Sequence, residues 1–174
     1  FIKFNGVLPE KTTWIDLWGE PGESYCVELG AYTGLDVHAV TGFVCLENAV
    51  IDTFLVGSDG DTLFLTVTTV DADINGKPHA LLDIHSKTID DISISVKATS
   101  GAVDVWMGYV LETAGFYGDF VTNDFPGASA GDTEMTIGEM ACTESAITVG
   151  AYASKTDWTN IFGQEPSFSG YVLP

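Results

Sequence analysis

The sequence predicts an all-β protein: an antiparallel, jelly-roll-like β-sandwich with an irregular C-terminal extension. Apolar residues recur at every second position in short runs rich in Val, Ile and Thr, the pattern of a strand with one face in a core and one in water. Gly, Asp, Asn and Pro cluster between those runs, as turns between antiparallel strands require. No stretch before Gly115 carries a helical period.

The runs come in order. Trp14-Ile15-Asp16-Leu17-Trp18 alternates, Gly19-Glu20-Pro21-Gly22 turns the chain, and Tyr25-Cys26-Val27-Glu28-Leu29 follows. Runs at Val40 to Leu46 and Val50 to Val56 lead to the turn Gly57-Ser58-Asp59-Gly60-Asp61. Thr62 to Thr68 is the cleanest alternation in the chain. Ala80 to His85 and Ile92 to Val96 come next, hydroxyls marking the wet face of the latter, and Val103 to Tyr109 closes the series. Strands at such short spacing predict a sandwich domain over residues 1–112. Composition then shifts. From Thr113 to Gly131 the chain is rich in Gly, Ala, Asp and aromatics without a period, which reads as a long irregular connection opening the second region, 113–174. Within that region Ala146 to Tyr152 is apolar almost throughout, like a parallel strand covered on both faces.

The 174 residues carry 6 Lys and no Arg against 25 Asp+Glu, a formal charge of −19. Phosphate recognition needs clustered cations, so nucleic acid is excluded as a partner, and an anionic bilayer surface repels the chain. Charged content of 18% with 45% hydrophobic residues argues for a folded core rather than disorder. No run of about 18 apolar residues exists for membrane insertion. A chain opening on Phe1 reads as processed or cut from a longer protein. Cys26, Cys45 and Cys142 match no zinc or redox spacing. A Cys26–Cys45 bridge and three separate thiols both remain open.

Several patterns suggest chemistry. Gly127-Ala128-Ser129-Ala130-Gly131 has the G-x-S-x-G form of a nucleophile elbow, which works only on a tight strand-to-helix turn with a histidine later in the chain. The last histidine is His85, so a glycine-rich loop is expected. Asp71-Ala72-Asp73-Ile74-Asn75-Gly76 resembles the first half of an EF-hand loop, yet its twelfth position is Leu82 where calcium needs a bidentate Glu. Asn75-Gly76 and Asp59-Gly60 are instead read as hairpin turns. His38, His79 and His85 lie in separate segments without ligand spacing, so no metal site is assigned. Trp14, Trp18 and Trp106 could form a sugar platform, but Trp14 and Trp18 are expected in the core. No serine or cysteine has a recognisable base beside it, so no catalytic, cofactor or metal residue is assigned.

Met135 to Tyr152 resembles a segment of subtilisin-like (S8) serine proteases of the form T-I-G-x-P-A-T-A-x-x-A-I-T-V-G-A-Y, with Met140 where proline is usual and Cys142 where threonine is usual. The resemblance covers about 40 residues. The stretch from Trp14 to Trp106 is similar, more loosely, to the jelly-roll inserted in the catalytic domain of some bacterial subtilases, including the Csp-like spore germination proteases. The family's aspartate and histidine motifs, its oxyanion-hole asparagine and its G-T-S-M-A serine are not found in this chain. The resemblance therefore implies a non-catalytic portion of a secreted or cell-envelope bacterial endopeptidase, without cofactor, whose partners are the rest of the catalytic domain and a protein substrate. A free-standing carbohydrate- or protein-binding sandwich is the alternative.

Overall fold

The computed structural model describes residues 1–5, 11–73, 75–108, 117–122 and 124–132. The chain divides into two compact units, Phe1–Gly131 and Asp132–Pro174. Only Asp132 of the second is among the described residues, so the expected Ala146 to Tyr152 strand, the irregular C-terminal extension and Cys142 lie outside them.

All eleven elements among the described residues are strands: β1 (Ile2–Asn5), β2 (Lys11–Gly19), β3 (Tyr25–Thr33), β4 (Asp36–Val40), β5 (Val44–Cys45), β6 (Val50–Val56), β7 (Thr62–Val70), β8 (His79–Ser86), β9 (Asp91–Ala98), β10 (Val103–Met107) and β11 (Tyr117–Phe120). They build two antiparallel sheets. Sheet A runs β11-β1-β9-β3-β4 with β5 also on β3, and sheet B runs β10-β2-β8-β7-β6. The pairs β1·β11, β2·β10 and β3·β9 nest inside one another and alternate between sheets A, B and A. That wrapping of nested antiparallel pairs is the jelly-roll connectivity the sequence predicts.

The period-two pattern explains which side chains face inward. On β2, Ile15 and Leu17 are buried. Leu63, Leu65 and Val67 on β7 and Leu82 and Ile84 on β8 share that layer. Val27 and Leu29 of β3 with Ile92 of β9 supply the opposing face from sheet A. Each such side chain contributes about 1.5–3 kcal/mol by leaving water, which makes this interleaved layer the main source of stability.

The two hairpins read from Asp59-Gly60 and Asn75-Gly76 share one geometry. The Gly60 N–H donates to the Gly57 carbonyl at 3.0 Å and the Gly57 N–H to the Asp61 carbonyl at 2.9 Å. Gly76 to Asp73 and Asp73 to Lys77 repeat this at 2.7 and 2.9 Å. The fourth residue of each loop, Gly60 or Gly76, takes φ of 80° or 73°, where a side chain is disfavoured. Among the described residues of the second loop, Gly76 alone has a positive φ; Asn75 instead accepts the Lys77 N–H on its side chain at 2.9 Å.

Two findings depart from the expectations, and one settles an alternative the sequence left open. The run Val40 to Leu46 is not one strand: β4 ends at Val40 and β5 starts at Val44. Gly30 faces Val40 while Val27 faces Val44, so three steps on β3 span four on its partner, and a further register shift lies between Ala31 and Tyr32. Cys26 and Cys45 sit opposite each other there and form a disulfide. Finally, Tyr117–Phe120, inside the stretch read as irregular, is β11; it pairs with β1, and the first compact unit extends to Gly131. Both strands have four residues, too few for a periodic signal to emerge.

Candidate functional site

The outward face of sheet B is chemically distinct from that of sheet A. With Ile15 and Leu17 turned inward, β2 presents Trp14, Asp16 and Trp18 outward. Register sets Trp106 of β10 beside Asp16, Asp104 beside Trp18, His79 of β8 on the other side of Trp18, and Asp83 beside Trp14. All three tryptophans are half-buried on this surface, so Trp14 and Trp18 are not in the core as expected. A signal for this was present: Asp16 shares a parity with Trp14 and Trp18, and an unpaired carboxylate belongs on the wet face.

Within this face His79 stacks on Trp18, ring centroids 4.0 Å apart and planes 8° from parallel. Its Nε2 lies 2.5 Å from Asp16 Oδ1 and its Nδ1 3.0 Å from Asp73 Oδ2. Each ring nitrogen thus faces a carboxylate, and the imidazole clamps Trp18 and the β7–β8 hairpin. Trp14 lies across the backbone of Gly108, whose N–H donates to the Trp14 carbonyl at 2.8 Å.

A second polar cluster ties the β6–β7 turn to the β8–β9 connection. Asp90, 2% exposed, accepts the Ser58 N–H at 2.7 Å and the Thr33 hydroxyl at 3.0 Å, and the Ser58 hydroxyl also donates to it. Desolvation pushes this carboxyl up, but the hydrogen bonds from Ser58 and Thr33, aided by the charge of His38, outweigh it and hold it below the ordinary aspartate range. Asp59 accepts the Ile89 N–H at 3.0 Å and the Thr88 hydroxyl at 2.9 Å. The Ile89 N–H is the leading cause of its lowered pKa. These carboxylates spend their acceptor capacity on the fold, holding two loops together, and face no reacting group.

The other sequence-derived candidates are dispersed. His38 is exposed on β4 of sheet A, whereas His79 and His85 sit on β8 of sheet B. Among the described residues no group of three His, Cys, Asp or Glu side chains is arranged to hold a metal ion. Asp73 belongs to the hairpin loop and to His79, as the turn reading expects. Ser129 of the G-x-S-x-G stretch is exposed, and its hydroxyl donates to the neighbouring Ala130 carbonyl at 3.4 Å. Ahead of it, Ala128 N–H donates to the Phe125 carbonyl at 3.1 Å, closing a Pro-Gly turn. A shallow cleft of about 230 Å³ lies at the β5–β6 junction, lined by Phe43, Val44, Cys45, Glu47, Ala49 and Ile51.

No family model matches the chain, and no curated protein matches it. Among solved structures it is similar to the Clostridium perfringens CspB protease, with 11% identity and a TM-score of 0.37. The alignment covers 61% of this chain and 24% of that protein's length. At this distance no residue role passes from one chain to the other.

Proposed function

We propose that this chain is a non-catalytic portion of a subtilisin-like serine endopeptidase, its β-sandwich a structural and docking insert in the catalytic domain. The observation that carries the reading is the adjacency of the sandwich's first and last strands. β1 and β11 pair in antiparallel register, Ile2 opposite Phe120, and the Val121 N–H donates to the Phe1 carbonyl at 2.8 Å. Chain therefore enters and leaves the sandwich side by side, about 5 Å apart. A domain spliced into another needs that property, because a distant entry and exit would pull the host's flanking segments apart. Phe1, Tyr32 and Phe125 pack ring against ring at this point, centroids 5.3 to 6.1 Å apart, and brace it. The subtilase-like segment from Met135 follows directly, in the order an insert ahead of that core strand requires. The Cys26–Cys45 disulfide supports an oxidising location, secreted or in the cell envelope.

Two measurements test this reading. A serine-directed fluorophosphonate should label no residue of this chain. The encoding gene should carry the subtilase aspartate and histidine motifs before Phe1 and G-T-S-M-A after Pro174. A labelled serine, or an open reading frame without those motifs, overturns it.

The outward tryptophans favour a second reading, a carbohydrate-binding sandwich. Glycan-array binding abolished by Trp14→Ala would replace the first reading with this one.

A further inference from the structure

The outward face of sheet B, followed from the tryptophans to its opposite edge, carries a feature that neither the core nor the insert reading requires. β6 is an edge strand: β7 pairs with it from Val50 to Val56 in unbroken register, and no strand pairs with its other side among the described residues. Natural edges are blunted by Lys, Pro, bulges or brevity. Across its seven residues, VIDTFLV, β6 has no Lys, Pro or bulge, and its single charge is Asp52. Three of its four outward side chains are apolar and wet: Val50 is 68% exposed, Phe54 60% and Val56 48%, and Phe64, directly opposite Phe54 on β7, is 52% exposed. Contiguous exposure of that kind marks an interaction surface.

Charge selects the occupant. Asp52 and Asp83 flank Thr66 in one cross-strand row of this face, about 10 Å apart across two strand spacings. Asp52 accepts the Thr66 hydroxyl at 2.7 Å, and Asp83 lies 3.5 Å from His85 Nε2. β6, β7 and β8 contain no Lys or Arg to balance them, in a chain of net charge −19. An acidic partner, including a second copy of this chain, is repelled.

We propose that β6 binds an extended polypeptide segment in which Lys or Arg alternates with apolar residues, added as a further strand on the edge of sheet B. Backbone hydrogen bonds to the edge that no described strand covers supply affinity, and side-chain alternation supplies selectivity. Outward cations of such a segment meet Asp52 and the faces of Phe54 and Phe64, their aliphatic stems covering Val50 and Val56. Inward apolar residues meet Ile51 and the cleft beside Phe43 and Ala49.

The test uses the intact chain and fluorescein-labelled, capped octapeptides read by anisotropy. A Lys–Val alternating peptide should bind at least tenfold more tightly than a Lys–Pro peptide of equal charge, whose prolines prevent strand addition, and a Glu–Val peptide should not bind. Phe54→Lys should weaken the Lys–Val complex at least tenfold with the melting temperature unchanged. Asp52→Asn should weaken it severalfold, and covers the case in which Phe54→Lys perturbs folding. Equal binding of the Lys–Val and Lys–Pro peptides would reduce the surface to undirected charge attraction and overturn the proposal. So would binding indifferent to both substitutions. A neutral β-glucan hexaose that binds and is lost on Phe54→Lys would assign the surface to sugar instead.

Discussion

Replacing Asp90 with alanine probes a buried polar junction of the sandwich. The carboxylate is 2% exposed and accepts the Ser58 N–H, the Ser58 hydroxyl and the Thr33 hydroxyl, joining the β6–β7 turn, the β8–β9 connection and the end of β3. Hydrogen bonds to a charged group are each worth about 1.5–3 kcal/mol, and they do not add fully when shared by one carboxylate. Removing the acceptor also leaves the Ser58 N–H without its partner. The expected loss is about 3–5 kcal/mol for Asp90→Ala. Asp90→Asn should cost about 1–2 kcal/mol, because its carbonyl can keep the Ser58 N–H while the two hydroxyls rotate to accept from the new amide. Urea unfolding followed by tryptophan fluorescence reads the difference; at a slope of about 2 kcal/mol/M, the alanine variant shifts its midpoint down by roughly 2 M. The pH dependence supplies a second check. Asp90 has a lowered pKa in the folded state, so its stabilisation is present above the ordinary aspartate value and fades as pH falls through the folded value. The gap between wild type and Asp90→Ala should therefore narrow in acid. A gap below about 0.5 kcal/mol at neutral pH, or one that widens in acid, refutes the assignment.

Other outcomes follow from the same contacts. Gly57→Ala would place a Cβ 1.9 Å from Thr88 Oγ1 and 2.6 Å from Thr88 Cβ, so a loss of about 2–3 kcal/mol in urea unfolding is expected, partly restored by adding Thr88→Ala. Reducing Cys26–Cys45, 19 residues apart, should lower stability by about 3 kcal/mol, seen as a drop in melting temperature with dithiothreitol that Cys26→Ala/Cys45→Ala abolishes. Tyr25→Phe removes a buried hydroxyl that donates to the Leu17 carbonyl at 2.7 Å; its expected cost is about 1 kcal/mol, measured by thermal unfolding.

The candidate surfaces were legible only in part. Asp16 between Trp14 and Trp18 announced an outward face, since strand parity alone puts the three side chains together. That His79 would reach both Asp16 and Asp73 could not be read, because it depends on β2 and β8 pairing Trp18 with His79 across 60 intervening residues. Asp90 offers a sharper case. In sequence it is one acidic residue among many after a strand; burial and its three donors arise only where the β6–β7 turn meets the β8–β9 connection. The apolar outward positions of β6 appeared as an ordinary strand, and their importance comes from β6 lying at an edge.

The sequence by itself determined the local grammar of the longer strands: where their runs lie, which side of each is apolar, and where Asp59-Gly60 and Asn75-Gly76 reverse the chain. These follow from side-chain alternation and backbone sterics within a few residues, so no partner is needed to set them. The tertiary structure decided which strands pair, that Cys26 meets Cys45, and that four-residue β1 and β11 pair at the end of sheet A. Those outcomes depend on the summed burial of two opposed sheets. Contacts between residues tens of positions apart have no signature in any short window of the chain.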